Sequence, residues 1–353
     1  MEAWLLREWQ RQSPWQILLR PMSWIFAVLV GVRSGLYRAG LLKSARIAVP
    51  VIVVGNITVG GTGKTPVVLA IAQTLARSGH RCGIISRGYS RRAAADARRA
   101  HPAMVLEVVV DDAGSALISD EAQLLARRSG APVYISVDRA NAAKSLLRDH
   151  PDVDVLVCDD GLQHYALRRD IEICVIDATR GFGNGALLPA GPLREPTTRL
   201  ALVDAIIVNR PAALEQFSLD DLAPGVPAFQ MKLGNECLVH VRDAKVISIE
   251  QGLAEFSAKR ILACAGTGSP ARFFSHLGGL GFSVVETRAF GDHHPFVESD
   301  FARQNAEIIL MTEKDAVKCS AFADDRMWFM RVDAVLPEAF GEFVLKRLSE
   351  LKK

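Results

Sequence analysis

The sequence contains few cysteines and no C-x-x-C pair. Its six cysteines are scattered along 353 residues, and several stand inside apolar runs. This pattern predicts reduced, buried thiols in a cytosolic protein rather than a disulfide framework. The cysteines are Cys82, Cys158, Cys174, Cys237, Cys264 and Cys319.

The sequence also has little excess of positive over negative charge. The formal net charge is only +3, and no basic patch is concentrated in the middle of the chain. Because proteins bind nucleic acid through clustered lysines and arginines, we expect no nucleic-acid partner. Hydrophobic residues make up 49% of the sequence. At this length they are enough for more than one core, so we expect two folded units.

The N-terminus lacks both a secretory signal and an apolar run of spanning length. Glu2 and Glu8 stand where a signal would be positive, and the apolar run 22–32 is bounded by Pro21 and Arg33. A bilayer core needs about 20 apolar residues, so this run is predicted to be too short to cross. Its tryptophans and flanking arginines are typical of a helix at a membrane surface. The alternative is an amphipathic helix packed on the protein's own core.

From residue 46 onward, apolar strands alternate with helices. Runs such as IAVPVIVVGN, DVDVLVCDD and DAIIVNR are rich in valine and isoleucine. Such runs indicate strands buried on both faces, and their alternation with helices predicts an α/β fold with a parallel sheet flanked by helices. The predicted units are an N-terminal helix at 1–45, a nucleotide-binding domain at 46–228, a β linker at 229–258 and a smaller α/β domain at 259–353.

A glycine-rich stretch, GNITVGGTGKTP, joins the first of these strands to a helix. It departs from the phosphate-loop pattern G-x-x-x-x-G-K-[ST] because Thr58 stands where a glycine is expected. Threonine is acceptable there if the turn needs no positive φ. The order of strand, loop and helix favours a nucleotide site over a chance glycine turn. The residues predicted to contact nucleotide are Thr58, Gly60, Gly61, Thr62, Gly63, Lys64 and Thr65.

Each part of this loop has an expected task. Backbone N–H groups of residues 60–65 can surround phosphate oxygens, Lys64 can reach the β- and γ-phosphates, and Thr65 offers a hydroxyl to Mg²⁺. Asp159 and Asp160 end a neighbouring apolar strand, where a carboxylate can hold Mg²⁺ or its water shell. An aspartate turn that caps a loop is the alternative. The sequence has no N-K-x-D element for guanine, so ATP is the expected nucleotide.

Transfer of phosphate to a hydroxyl also needs a group that accepts the hydroxyl proton. Asp120 and Glu121 open the stretch SDEAQLLARR, and Asp292, His293 and His294 lie in the loop FGDHHPF. Taken singly, Asp120 would be a helix N-cap and His293 a surface residue. Composition alone does not pair them.

Eight motifs in order resemble the tetraacyldisaccharide 4'-kinase family of Gram-negative bacteria. They are GNITVGGTGKTP, SRGY, SDEAQLLA, DDGLQHYALRRD, GALLPAGPLREP, AGTGSPARFF, FGDHHPF and TEKDAVK, and they extend from about residue 49 to about residue 318. The resemblance implies a P-loop NTPase fold and an enzyme of lipid A biosynthesis. Such a kinase moves the γ-phosphate of ATP, with Mg²⁺, to the 4'-hydroxyl of a tetraacylated glucosamine disaccharide 1-phosphate. It also implies a peripheral or monotopic protein on the cytoplasmic face of the inner membrane.

The resemblance further implies roles for single residues. Asp120 and His293 would form the base pair, and closure of a cleft would bring them together because they lie in different units. Glu121, Thr65, Asp159 and Asp160 would hold metal or its water. The expected contacts to substrate or phosphate are Arg139, Arg194 and Gln163, although a surface salt bridge is an equal alternative for each arginine.

Two other functions share the phosphate loop. A nucleotide-switch ATPase or GTPase would act on a protein partner and would not need the tryptophan-rich N-terminal segment or the GDHH loop. A soluble kinase for a small sugar or nucleoside would leave the N-terminal helix packed inside. The lipid-kinase prediction includes no protein partner.

Overall fold

The structure is a computed structural model that describes residues 8–9, 14–88, 104–109, 118–210, 223–268, 270–292, 294–301 and 305–351. Its helices are α1 (Pro14–Arg38), α2 (Lys64–Arg77), α3 (Asp120–Ser129), α4 (Arg139–Asp149), α5 (Ile249–Phe256), α6 (Pro270–Gly279), α7 (Glu313–Cys319) and α8 (Glu338–Leu351). Its strands are β1 (Val51–Gly55), β2 (Cys82–Ser86), β3 (Leu106–Glu107), β4 (Val133–Ile135), β5 (Val155–Asp159), β6 (Ile171–Asp177), β7 (Ala205–Asn209), β8 (Ala228–His240), β9 (Val246–Ser248), β10 (Ile261–Ala265), β11 (Val284–Ala289), β12 (Ile308–Thr312) and β13 (Met327–Val335).

The described strands form one 13-stranded sheet. Its order is β11-β10-β12-β13-β8-β7-β6-β1-β5-β2-β4-β3, with β9 paired to β8. β1 lies between β5 and β6, and both neighbours run parallel to it. Every residue of β1, β5 and β7 is buried, as continuous valine and isoleucine runs require. The predicted α/β fold with a mostly parallel sheet flanked by helices is confirmed.

The long strand β8 joins the two halves of the sheet. Its first residues pair parallel with β7, and its later residues pair antiparallel with β13. The C-terminal helix α8 then returns to the first half, where Phe340, Val344 and Leu348 join the core under β1 and β5. The domain limits stay a prediction, but residues 338–351 pack on the nucleotide-binding unit rather than on the unit to which their position assigns them.

Helix α1 is longer than the sequence predicts. The apolar run was expected to be bounded by Pro21 and Arg33 and to be too short to cross a bilayer, but the helix passes both residues. The helix continues through Pro21 for 25 residues in all, because an internal proline removes only one helix hydrogen bond. By length and composition alone, this helix is long and apolar enough to cross a membrane. Only 11% of its most apolar stretch is buried in the protein.

Helix α1 turns polar side chains toward the protein and large apolar side chains away from it. Gln16 and Ser23 are its buried residues, and the ring of Tyr37 stacks on Tyr165 with centroids 5.8 Å apart. The opposite face exposes Trp15, Ile17, Leu18, Met22, Trp24, Ile25, Val28, Leu29 and Val32. The alternative of an amphipathic helix whose apolar face packs on the protein's own core is therefore wrong.

Candidate functional site

The glycine-rich loop lies between β1 and α2 and is packed against β7 and β8. Gly60 and Gly63 have φ angles of 100° and 94°, which glycine adopts without a steric penalty. A side-chain carbon on Gly63 would meet Asn209 Nδ2 and Met231 Cε, each at 2.9 Å. Asn209 also donates to the carbonyl oxygen of Thr62 at 3.2 Å. The close packing fixes the path of the loop.

Thr58 replaces the expected glycine without strain. Its φ is not positive, so the condition that the sequence set for a threonine here is met. Thr58 forms a β-bridge with Leu193, and the N–H of Val59 donates to the carbonyl oxygen of Pro192 at 2.8 Å. The segment that contains GPLREP therefore supports the first half of the loop.

Lys64, the first residue of α2, faces the carboxylates that follow β5. Its Nζ lies 3.3 Å from Asn56 Oδ1 and 3.5 Å from Asp160 Oδ1, and its side chain is 14% exposed. This ammonium group lies between the phosphate loop and the end of the adjacent strand. The arrangement places positive charge where the β- and γ-phosphates of a nucleotide would lie.

Asp159, the last residue of β5, is a buried carboxylate with one unused oxygen. The hydroxyl of Ser86 donates to Oδ2 at 3.2 Å, whereas Oδ1 has no hydrogen-bond partner among the described residues. Burial, together with the negative charges of Glu121 and Asp160, raises the pKa of Asp159 to about 7. Lys64 offsets this rise only in part, and an incompletely compensated buried carboxylate is the environment of a metal ligand.

The neighbouring Asp160 has the opposite environment. Its φ of 48° is left-handed, and Arg194 NH1 lies 3.1 Å from Oδ2. Burial would raise the pKa of Asp160, but Lys64 and Arg194 outweigh burial and lower it. Asp160 is therefore already neutralised by protein cations, whereas Asp159 is not.

These donors fit Mg²⁺ but not a metal held by protein alone. Within the described part of the chain, no group of three or more His, Cys, Asp or Glu side chains is arranged to hold a metal ion. Mg²⁺ is usually held by one or two carboxylates together with phosphates and water. Asp159, with Thr65 at the start of α2, matches that donor set.

Arg139, Arg194 and Gln163, the residues expected to contact substrate or phosphate, all lie beside the loop that contains Asp160. Arg139 is 5% exposed, and its NH2 donates to the carbonyl oxygen of Asp160 at 3.4 Å. Gln163 Nε2 donates to the carbonyl oxygen of Asn56 at 2.9 Å and to Glu195 Oε2 at 3.0 Å. Through these contacts Arg139 and Gln163 hold the loop that follows β5 against its neighbours. Their contacts to substrate stay a prediction.

Helix α3 brings the acidic pair to the same site. Ser119 is the N-cap, since its side chain accepts the N–H of Ala122 at 3.3 Å. The alternative that Asp120 is the cap was therefore wrong, and its carboxylate is available for other contacts. His293 lies outside the described residues, so the Asp120–His293 pair stays a prediction. His294 Nε2 lies 3.1 Å from Asp300 Oδ2.

Two lysines of α7, which sequence reasoning left unassigned, contact this acidic pair. Lys318 Nζ lies 3.3 Å from Asp120 Oδ2, and Lys314 Nζ lies 3.5 Å from Glu121 Oε1 and 3.4 Å from Asp292 Oδ1. Burial disfavours the charge of Lys314, but the three acidic residues around it raise its pKa. The signal in the sequence was TEKDAVK, whose two lysines are four positions apart and so share a helix face.

The comparisons with known proteins cover nearly the whole chain. A sequence model of the family described as tetraacyldisaccharide-1-P 4'-kinase matches residues 15–349. The chain is 44% identical over 348 residues to the tetraacyldisaccharide 4'-kinase of Methylobacillus flagellatus, covering 99% of this chain and 96% of that one. The corresponding protein of Aeromonas hydrophila is 43% identical, with 98% and 96% covered.

A solved structure agrees with the sequence relatives. The crystal structure of LpxK from Aquifex aeolicus in complex with ATP matches with a TM-score of 0.75 and 28% identity, covering 94% of this chain and 99% of that chain. The fold, the eight motifs and the full-length matches have the same explanation: the chain belongs to the tetraacyldisaccharide-1-P 4'-kinase family.

Proposed function

We propose that this chain transfers the γ-phosphate of ATP to the 4'-hydroxyl of a tetraacylated glucosamine disaccharide 1-phosphate. The observation that carries the proposal is the arrangement around Asp159. Lys64 of the phosphate loop and Glu121 of α3 both lie close enough to this carboxylate to shift its pKa. A phosphate donor and a proton acceptor thus have places next to each other, as transfer to a hydroxyl requires.

Each step of the transfer has a residue that suits it. Asp120 accepts the proton of the 4'-hydroxyl while the oxygen forms a bond to the γ-phosphorus, and the bond from phosphorus to the leaving ADP oxygen breaks. Lys64 stabilises the negative charge that develops on the phosphates. Mg²⁺ at Asp159 and Thr65 would neutralise phosphate charge when bound. Asp120 then releases its proton to water.

We infer that both units contribute residues to the site. Asp120 belongs to the nucleotide-binding unit, and the predicted partner His293 belongs to the C-terminal unit. A complete site therefore needs both halves of the molecule in contact, which limits hydrolysis of ATP by water in the absence of the lipid.

We further propose that α1 holds the protein on the cytoplasmic face of the membrane without crossing it. The contacts of α1 with the rest of the protein extend from Gln16 to Tyr37. If α1 crossed the bilayer, the parts of the protein that contact it would enter the hydrocarbon, where their polar backbone groups would lose their hydrogen bonds to water. A helix that lies in the interface keeps the attachment and buries its apolar face in lipid.

The nucleotide-switch alternative receives no support from the comparisons, because the relatives that match the whole chain are named as kinases. The same matches argue against a kinase for a small soluble acceptor. Both alternatives nevertheless give distinct results in one assay.

Transfer from γ-labelled ATP to tetraacyldisaccharide 1-phosphate in detergent micelles tests the proposal. Removal of a general base costs about 10²–10⁴-fold in rate, so Asp120→Asn is expected to lose label transfer by that factor. Asp325→Asn is the matched control, because Asp325 is a surface carboxylate with 82% exposure. Hydrolysis of ATP at the same rate with and without lipid, and no labelled lipid, would rule out the proposed transfer.

A further inference from the structure

Lys318 connects the proposed base to a buried carboxylate of the C-terminal unit. Its Nζ lies 3.3 Å from Asp120 Oδ2 and 3.2 Å from Asp315 Oδ1. The Lys318 side chain is only 10% exposed, and its ammonium group lies 5.5 Å from the centre of the Phe296 ring. One positive charge is thus shared between two carboxylates in a setting that contains little water.

Asp315 is a fixed support for this ammonium group. Its side chain is wholly buried. Its Oδ2 accepts the N–H of Gly266 at 2.8 Å and the hydroxyl of Thr312 at 2.6 Å. Because three donors surround the carboxylate, neither it nor the lysine that it holds can move far. Gly266 belongs to the AGTG stretch, so two motifs of the C-terminal unit support one lysine.

Helix α3 is itself held against the C-terminal unit. The guanidinium of Arg128, in the last turn of α3, lies 3.2 Å from Glu313 Oε2 and also pairs with Asp333. Glu313 is the first residue of α7, so the two helices are joined at Arg128 as well as at Lys318. The two contacts hold α3 against α7, so the Asp120–Lys318 pair belongs to the contact between these two helices.

The two Lys318 contacts are longer than the 2.7–2.9 Å of a strong charge-assisted hydrogen bond. A pair at this separation holds the direction of a carboxylate but leaves room for a hydroxyl to approach. A general base needs this combination, since it must face the acceptor and still take its proton.

We propose that Lys318 is a positioning residue that, from α7 of the C-terminal unit, holds the Asp120 carboxylate toward the acceptor hydroxyl. The inference rests on the proposed lipid-kinase function. If that function holds, the C-terminal unit orients the base through a chain of contacts from Gly266 to Asp315 to Lys318. The predicted His293 would act in addition. Loss of the lysine charge removes one constraint on the direction of the Asp120 carboxylate.

The test uses the full chain in detergent micelles with ATP, Mg²⁺ and tetraacyldisaccharide 1-phosphate. Lys318→Met keeps the apolar stem beside Phe296 and removes only the charge. Misplacing a reacting group costs about 10²-fold, so kcat is expected to fall by about that factor. The KM for ATP is expected to stay within about twofold, because Lys318 contacts none of the phosphate-loop residues. Lys144→Met, at an exposed position on α4, is the matched control.

Two further variants separate positioning from folding. Lys318→Arg keeps the charge and is expected to retain about a tenth or more of the wild-type kcat, whether or not Lys318→Met folds. In an Asp120→Asn background, Lys318→Met is expected to change the residual rate by less than about threefold, since residues that act as a unit are not additive.

The failures are distinguishable. If the wild type transfers no phosphate to the lipid, the proposed function is wrong and the inference fails with it. If the wild type is active, the inference alone is overturned by any of three results. These are an unchanged kcat in folded Lys318→Met, a folded Lys318→Arg variant that is fully inactive, and an undiminished effect of Lys318→Met in the Asp120→Asn background.

Discussion

Ser23 of α1 donates its hydroxyl hydrogen to the carbonyl oxygen of Leu187 at 2.8 Å. The hydroxyl oxygen of Ser23 in turn accepts the N–H of Ala190 at 2.9 Å. The segment that contains these two groups continues to Pro192, which accepts the N–H of Val59 in the phosphate loop. A serine on a mostly apolar helix is thus attached to the backbone that supports the nucleotide site.

The first prediction concerns this attachment. Ser23→Ala leaves the buried Ala190 N–H without an acceptor, and an unsatisfied buried donor costs about 1–3 kcal/mol. We expect a lower midpoint in urea unfolding and faster proteolysis between residues 38 and 50. Ser349→Ala is the control, because Ser349 is exposed and bonds only within its own helix. Equal midpoints for the two variants would show that Ser23 does not stabilise the fold.

The second prediction concerns the exposed face of α1. Val28 and Val246 are 64% and 53% exposed, but only Val28 lies on α1. Val28→Glu is expected to reduce co-sedimentation with vesicles of phosphatidylethanolamine and phosphatidylglycerol by about tenfold, because a charge at the hydrocarbon boundary costs more than about 1.4 kcal/mol. Val246→Glu is expected to sediment like the wild type. An equal loss of co-sedimentation in Val28→Glu and Val246→Glu would show that α1 is not the membrane contact.

The third prediction separates two neighbouring glycines. Gly63→Ala would place a carbon 2.9 Å from Asn209 Nδ2 at a φ of 94°. A left-handed alanine costs about 1–2 kcal/mol before any displacement, so we expect a lower melting temperature and weaker binding of ATP. Gly61→Ala meets no atom within 4 Å and is expected to melt within about 1 °C of the wild type. Thermal unfolding without nucleotide distinguishes them, and a similar loss in both variants would contradict the prediction.

The fourth prediction concerns Asp159 and Mg²⁺. Asp159→Asn removes a buried negative charge that is compensated only in part, so the melting temperature without ligand is expected to rise by at least about 2 °C at pH 8. In the wild type, ATP with Mg²⁺ at about 100 times its Kd adds about 2.7 kcal/mol of stability. This gain is expected to be largely lost in Asp159→Asn and retained in Asp325→Asn. A full response to Mg²⁺ and ATP in Asp159→Asn would exclude this carboxylate as a metal ligand.

Several parts of the site follow from the sequence because they depend on neighbouring residues. An apolar run predicts β1, the glycines after it predict the loop, and a helix start predicts α2, all within one short stretch of the chain. The placement of Asp159 at the end of β5 follows in the same way, because parallel strands bring their carboxyl ends to one edge of the sheet.

The errors in the sequence prediction also have local causes. Pro21 was treated as a boundary of the apolar run, although one missing hydrogen bond does not end a helix. Asp120 was weighed as an N-cap, but Ser119 occupies that position one residue earlier. Capping preferences for serine and aspartate are similar, so sequence does not separate adjacent candidates.

By itself, the sequence determined the fold class, the nucleotide loop and the acidic residues near it, since strand and helix periodicity, turn chemistry and glycine spacing act over short stretches of chain. The tertiary structure decided which distant groups meet. It placed α8 on the first unit, turned the polar face of α1 inward and brought Lys318 to Asp120 across 198 positions. Such contacts depend on how completed elements pack, and no local pattern of residues specifies that packing.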